Sequence, residues 1–451
     1  MHNDMLKQER WVVQGVASLR PLDVSVPGDK SISHRALIFA ALADGITHLS
    51  GVLESEDCLH TVAALRQLGV SITVSSAGNY TIQGRGVGAW VIPAGVHTID
   101  CGNSGTLMRL LCGLLAGQPG QFCLVGDTSL SKRPMDRVAN LLAPMGAQIR
   151  TTEGHAPVWI EGSALTSADI TLSIPSAQLK TAVLLAALRA PGVTTLRGAL
   201  ATRDHSERWL QYIGYPITYD QAQLSMTGCV SFQARDMAIP GDFSHAAFLM
   251  VAAALTSGTH LTIRGVGVNP YRTGLIVALK SMGAMVTCEN EADWGAEPVA
   301  TIRVTGGAPL KGVVVPPEWV SNLIDELPVF AIAAAAAEGR TVVTEAVELR
   351  VKESDRIVAL VRLLKNLGIQ AVETAAGFEV IGGGGFRSGT VDSLGDHRIA
   401  MSAVVAAQVG QIRVRVNNVA CVATSFPDFR DILDQWGVVF SEENSRCNIS
   451  Q

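Results

Sequence analysis

Two textures of hydrophobic pattern alternate along the chain. In the first, apolar residues recur at helical spacing and the segment closes on Leu-Gly, Met-Gly or a near relative. ALRQLG, LLAPMG, LQYIG, ALKSMG, LLKNLG and ILDQWG end at Gly69, Gly146, Gly214, Gly283, Gly368 and Gly437, in steps of 77, 68, 69, 85 and 69 residues. Each glycine stands where a helix C-terminus favours a left-handed residue. Each is followed by a short alternating run such as VSITV, AQIRT or AMVTC, which predicts a strand. A second alternating run stopped by glycine follows in five of the six units, as YTIQG, VWIEG, LSMTG, IRVTG and FEVIG. The two runs predict a hairpin.

The second texture is an Ala/Leu-rich helix, broken at Gly45, Gly120, Gly192, Gly258, Gly339 and Gly410 and followed by a strand such as THLSG or FCLVG. These helices begin after PGDKS, DCGNSG, IPSAQ, IPGDFS, IDE and GDHR. A β-like run such as LDVSV, HTIDC or VVVPP precedes the start. One unit therefore reads strand, helix, strand, helix, strand, strand, and six units of about 75 residues fill the 451-residue chain. Six units could form one extended solenoid or two compact three-unit domains; PGDKSISHRAL at Pro27 and PGDFSHAAFL at Pro240 are the closest internal match, which favours a duplicated three-unit half with a boundary near residue 239. VFAIAAAAAEG is apolar on all faces and should be buried among sheets. The pattern predicts an α/β fold.

Composition sharpens this. Hydrophobic residues make up 48% and charged residues 17%, which excludes a disordered chain, and 44 glycines suit many short elements. A net charge of −5 without like-charge blocks argues against nucleic acid or a membrane surface as partner. The eight cysteines, Cys447 last among them, form no C-x-x-C pair and read as free thiols. The polar start MHNDMLKQER has no apolar core of a signal peptide, so a cytoplasmic location is expected.

The candidate chemistry gathers at helix starts, where free N–H groups favour anions. The first half offers Gly28, Asp29, Lys30, Ser31, Ser33, His34 and Arg35; then Gly102, Asn103, Ser104, Gly105 and Thr106; then Ser176, Ala177, Gln178 and Lys180. Lys132, Arg133 and Arg203 open other helices. The second half offers Asp325 and Glu326, the run Arg350, Lys352, Glu353, Asp355, Arg356, and Asp396, His397 and Arg398. Lone Asp and Ser residues at such places are ordinary caps, and RVKESDR reads equally well as a salt-bridged turn. Cations at helix N-termini oppose the dipole, so their recurrence calls for a bound phosphate or carboxylate. Gly28-Asp29-Lys30-Ser31 lacks the leading glycine of a nucleotide loop, Gly84, Gly86 and Gly88 do not open a helix, and Gly382 to Gly385 reads as a turn. His34 and His397 read as hydrogen-bonding residues rather than metal ligands.

From PGDKSISHR through GNSGT, KRPM, SAQLK and TRDH to IDE, RVKESDR, DHRIAM and TSFPDF, the chain resembles the enolpyruvyl transferases, in the branch and second sequence class that act on shikimate 3-phosphate. The resemblance implies a two-domain inverted α/β barrel of six βαβαββ repeats, with helices inside and sheets outside. One domain would span 24–238 and the other 1–23 with 239–451, hinged near 23–24 and 238–240. It implies transfer of the carboxyvinyl group of phosphoenolpyruvate to the 5-hydroxyl of shikimate 3-phosphate, by a monomer and without metal or organic cofactor. Shikimate 3-phosphate would contact Lys30, Ser31, Arg35, Ser176, Ala177, Gln178, Arg203, Asp325 and Lys352. Phosphoenolpyruvate would contact Lys30, Gly105, Arg133, Gln178, Arg356 and Arg398. Asp325 is the expected base at the hydroxyl and Glu353 the proton shuttle at C3, with Lys30 assisting.

Two positions bear on the resemblance. Many members carry lysine where this chain has Thr424. Glyphosate-tolerant members of the second class carry alanine at the position of Gly105, whose place here leaves room for that inhibitor. The rivals are transfer to a UDP-amino sugar, whose enzymes use a loop cysteine, and a non-catalytic anion-binding scaffold that would need neither Asp325 nor Glu353.

Overall fold

The computed structural model describes residues 10–441. Cys447 and most of the polar start lie outside them. The elements follow the glycine series closely. Gly69, Gly146, Gly214, Gly283, Gly368 and Gly437 all adopt positive φ, between +77° and +109°. In the other series, Gly45, Gly120, Gly192, Gly258 and Gly339 do so as well. Gly410 departs from it: helix His397–Gly410 runs through it, and Gln411 takes the left-handed position at φ 53°.

The strands of the described residues form six sheets. In the third, Asp169–Leu172 runs parallel to Val193–Gly198, which pairs antiparallel with Gln223–Thr227, itself antiparallel to Ile217–Tyr219. Four other sheets repeat this order, and a three-stranded sheet gains its parallel edge as a bridge between Val314 and Val342. The glycines that stop the inner hairpin strands have a shared steric reason. A Cβ on Gly84, Gly162, Gly228, Gly306 or Gly382 would lie 1.6 to 2.1 Å from a carbonyl oxygen at the end of the neighbouring buried helix. Only glycine allows strand and helix end to approach so closely.

The sixth unit, which lacks that strand in sequence order, receives it from far away. Arg10–Gln14 inserts between Arg413–Asn417 and Val439–Ser441, antiparallel to both. It ends on Gly15, whose Cβ would lie 2.0 Å from Ala407 O. LDVSV behaves differently from its place in the first unit. Leu22–Ser25 pairs in parallel with His260–Gly267, a strand of the fourth unit, and Met237–Ala238 pairs in parallel with the first unit's Ile46–Ser50. The two units have exchanged their edge strands.

Two hydrophobic cores result. One holds Ile32 through Ile239; the other holds Val13, Leu19, Val26 and the apolar residues from Phe243 onward. The Ala/Leu-rich helices form their centres, and in Leu327–Ala336 every residue through Ala335 is buried. The chain crosses between the cores at two Pro-Gly-Asp turns that face each other. Asp29 N donates to Pro240 O (2.8 Å) and Asp242 N to Pro27 O (2.9 Å). Arg272, buried, pairs with Asp29 and Asp242 at 3.1 Å each. Among the described residues no single helix is long and apolar enough to cross a membrane, and no His, Cys, Asp or Glu cluster could hold a metal ion.

Candidate active site

The N-terminal ends of the buried helices point toward one cleft between the cores. Capping side chains fix those ends: Asp29 accepts from Ile32 N, Ser104 from Leu107 N, Ser176 from Leu179 N, Asp242 from Ser244 N and Asp396 from Arg398 N. The cap places the following side chain at the cleft. Lys30 follows Asp29, Gly105 follows Ser104, and Ala177 and Gln178 follow Ser176. The cavity measures about 750 Å³.

Lys30, Ser31, Gly105, Arg133, Ser176, Ala177, Gln178, Arg203, Asp325, Lys352, Glu353, Arg356 and Arg398 all line it. Arg35 does not. It is buried beneath the wall, where Nη1 donates to Ser31 O (2.8 Å), Nη2 to Thr181 Oγ1 (3.1 Å) and Nε to Ser206 Oγ (3.0 Å). It holds the chain that carries Ser31 and Ala177 rather than facing the cavity. Lys132 is exposed, and Thr424 also lies off the wall, its hydroxyl donating to Cys421 O (2.7 Å). Both readings of RVKESDR hold in part: Arg350 pairs with Asp355 at 2.7 Å in a turn, while Lys352, Glu353 and Arg356 face the cleft.

Asp325 sits at the centre of positive charge. Its carboxylate contacts Arg203 from the other core, Arg356 Nη1 (3.5 Å), Lys352 Nζ (3.6 Å) and Arg398 Nη2 (3.9 Å). Burial alone would raise its pKa, but Arg203, Lys352, Arg398 and Arg356 together hold it well below the usual carboxylate range. Glu353 is in a similar balance. Burial acts upward, and Arg356 (2.5 Å), then Arg133 (3.7 Å), His397 and Lys352 hold it well below its ordinary value. Arg356 is aimed by Asp396, which accepts from its Nε at 2.8 Å. Both acids are therefore ionised in the unliganded cleft. Burial lowers the Lys352 ammonium, against the pull of Asp325.

Further groups line the cleft that sequence reasoning did not select: Asp57, Arg109, Asp242, Ser244 and Arg272. Asp57 pairs with Lys30 Nζ at 3.1 Å. Arg109 lies one helical turn after Gly105, a spacing that could have flagged it, and donates to Gln178 Oε1 at 2.8 Å. His34 is hydrogen-bonded to Thr61 (2.6 Å), whereas His397 lines the cleft and its Nε2 has no partner. No cysteine of the described residues lines the cavity.

Several contacts bridge the cleft from one core to the other. Besides Arg203 with Asp325 and Arg133 with Glu353, Arg137 binds Glu348 at 3.0 Å. A mixed α/β protein in which nine lysines and arginines of the described residues line one cleft around the ionised Asp325 and Glu353 belongs to the class of enzymes that act on polyanionic substrates. The sequence profile of the family described as EPSP synthase (3-phosphoshikimate 1-carboxyvinyltransferase) matches residues 18–433, and the chain belongs to that family. It is 48% identical over 421 residues to a 3-phosphoshikimate 1-carboxyvinyltransferase of Xanthomonas euvesicatoria pv. vesicatoria, covering 93% of this chain and 94% of that one. The fold matches an EPSP synthase structure from Acinetobacter baumannii with TM-score 0.85 and 42% identity, over 96% of this chain and all of the other. It also matches the enolpyruvyl transferase NikO of Streptomyces tendae, with TM-score 0.75 at 19% identity over 96% and 99% of the two chains, a likeness of fold alone.

Proposed function

We propose that the cleft binds shikimate 3-phosphate and phosphoenolpyruvate side by side and closes over them. The chain is a carboxyvinyl transferase of the shikimate pathway: it moves the enolpyruvyl group of phosphoenolpyruvate to shikimate 3-phosphate and releases phosphate. The observation that carries the site assignment is the pairing of Asp325 and Glu353 with cations drawn from both cores. Each substrate brings one phosphate and one carboxylate, matching cations that otherwise neutralise these acids.

In this reading Lys30, Ser31, Ser176, Ala177, Gln178, Arg203, Asp325 and Lys352 hold shikimate 3-phosphate, with Arg35 acting through Ser31 and Ala177. Lys30, Gly105, Arg133, Gln178, Arg356 and Arg398 hold phosphoenolpyruvate. The 5-hydroxyl oxygen bonds to C2 as its proton passes to Asp325, and C3 takes a proton to become a methyl group; the Lys30 ammonium supplies that proton and the ionised Glu353 shuttles it. The tetrahedral intermediate then loses phosphate from C2, which leaves with the proton held by Asp325, and a methyl proton returns through Glu353 to Lys30, which restores the double bond. An ionised Asp325 held by four cations is a weak base. Bound phosphates and carboxylates draw those cations away and raise its basicity where the hydroxyl arrives.

We read the two cores as the expected domains 24–238 and 1–23 with 239–451, each three βαβαββ units of an inverted barrel, with two changes: residues 24–26 go with the second domain, because Leu22–Ser25 pairs with His260–Gly267 and Val26 packs in that core, and the hinge moves from 23–24 and 238–240 to the facing Pro-Gly-Asp turns. The chain is taken to act as a cytoplasmic monomer. Phosphate release from phosphoenolpyruvate, measured with shikimate 3-phosphate or a UDP-amino sugar as acceptor, tests the assignment. Turnover with the first alone, lost in Asp325→Ala, is expected; turnover with the UDP-sugar, or with neither, refutes it. Small-angle scattering should show compaction when both ligands are present.

A further inference from the structure

The fourth unit's hairpin, Met285–Trp294 with Glu297–Thr305, has strands of ten and nine residues, against three to seven in the other hairpins. The extra length carries its tip across to the other core. Gly295 lies against the ring of Tyr212, where a Cβ would be 3.3 Å from Cζ, and Ala296 packs on the first core. The next residue, Glu297, is buried at the junction. Its Oε1 lies 2.7 Å from His205 Nδ1, and its Oε2 accepts from Asn269 Nδ2 at 3.3 Å. The same Asn269 amide donates to Asp204 Oδ1 at 2.7 Å. Asp204 and His205 directly follow Arg203.

The residues before Arg203 are held by their own core. Lys180 Nζ donates to Leu200 O (3.3 Å) and Thr202 O (3.2 Å) and is paired with Glu207 at 2.5 Å. Arg203 thus stands between two clamps, one from each core, and its guanidinium reaches Asp325. Two apolar residues would join the cores at least as well as a buried acid, amide and imidazole, which cost desolvation. What the polar set adds is direction: it fixes one turn of the first core in the frame of the second.

We infer that Glu297 and Asn269 are positioning residues that set Arg203 against Asp325 for binding of shikimate 3-phosphate. The inference rests on the reading of Arg203 as a ligand of that substrate. Asn269 belongs to the same short loop as Arg272, so the loop that clamps the two crossings also clamps the substrate turn. Burial pushes the Glu297 carboxyl up to about 8, so near neutrality it is a protonated acid that a glutamine imitates.

Steady-state kinetics of the full chain test this. Glu297→Ala and Asn269→Ala should each raise KM for shikimate 3-phosphate about tenfold, the weight of one buried hydrogen bond. KM for phosphoenolpyruvate should move less than twofold, with kcat changed little. Glu297→Gln should restore the wild-type KM, and Glu297→Ala added to Arg203→Ala should cost little more than Arg203→Ala alone. If the variants raise both KM values equally, lower kcat alone, or add fully to Arg203→Ala, the role is structural and the inference fails. Should Glu297→Ala lose its near-ultraviolet dichroism, Asn269→Ala decides by the same criteria. A wild type that does not turn over shikimate 3-phosphate overturns the functional reading and this inference together, whereas unaltered KM values in the variants overturn this inference alone.

Discussion

Replacing Gly105 by alanine adds one methyl group at the start of helix Gly105–Ala116, on the cleft wall. The new Cβ would lie 2.9 Å from Arg109 Nη1 and 3.2 Å from Arg133 Nη1, short of ordinary contact by up to about 0.5 Å. Arg109 cannot yield easily, because it is tied to Gly105 O (3.3 Å), Gln178 Oε1 (2.8 Å) and Pro134 O (3.1 Å). Arg133 is held by Asn103 Oδ1 (2.7 Å), Ser129 Oγ (3.3 Å) and, through the crowded Nη1 itself, Glu353 (3.7 Å), so a shift there also disturbs the Arg133–Glu353 pair. A misplacement of about 1 Å costs on the order of 10²-fold in rate, so half that distance should lower kcat/KM for phosphoenolpyruvate about tenfold. The assay is phosphate release with each substrate varied in turn, together with inhibition by glyphosate, which should weaken by more than phosphoenolpyruvate binding does. Equal inhibition constants for wild type and Gly105→Ala, or an equal fall for both substrates, would refute the steric reasoning.

Asp325→Ala should lower the rate of phosphate release by about 10²- to 10⁴-fold, the usual range for losing a general base, and a loss below tenfold would remove that role. Gly15→Ala drives a Cβ to 2.0 Å from Ala407 O and should lower the melting temperature by several degrees, at a cost of about 1–3 kcal/mol, while turnover at low temperature is kept. Glu297, which faces His205, Asp204, Arg208, Arg272 and Tyr219, has its carboxyl raised from 4.5 to about 8. The folded chain keeps a proton that the unfolded chain releases, so this stabilisation is complete below about 4.5 and is lost as pH rises through about 8. The denaturation midpoint of Glu297→Gln should therefore decline less than wild type between about pH 6.5 and 8.5; parallel declines would exclude Glu297 as the source.

The periodic parts of the fold were legible because their causes are local. A helix end that needs positive φ selects glycine, and a strand that touches a helix carbonyl excludes every other residue, so Gly69 or Gly84 marks its element wherever it stands. Gly410 misled by one residue because Gln411 accepts the left-handed conformation itself. The exchange of Leu22–Ser25 and Met237–Ala238 left no such mark. Either strand alternates as well in one sheet as in the other, and partner choice depends on where the Pro-Gly-Asp turns cross. The cleft followed the same division. Lys30, Gly105 and Gln178 follow helix caps, a signal that sequence displays. Arg35 shares the first helix with Lys30, yet its side chain is directed by Thr181 and Ser206, more than 140 positions away. Arg109 was marked only by its i, i+4 spacing from Gly105, and Arg272 sits in ordinary loop sequence that only packing brings to the cleft.

The strand Arg10–Gln14 also bears on how the chain is made. About 400 residues separate it from its partner Arg413–Asn417. At a synthesis rate of about 5–20 residues per second, it leaves the ribosome on the order of 20–80 s before that partner exists. Through that interval an alternating segment with two open edges must avoid pairing elsewhere, and its sheet can close only after residues 413–441 have emerged. A strand made early is thus placed late, and a chaperone that shelters one segment of the nascent chain would be of most use here.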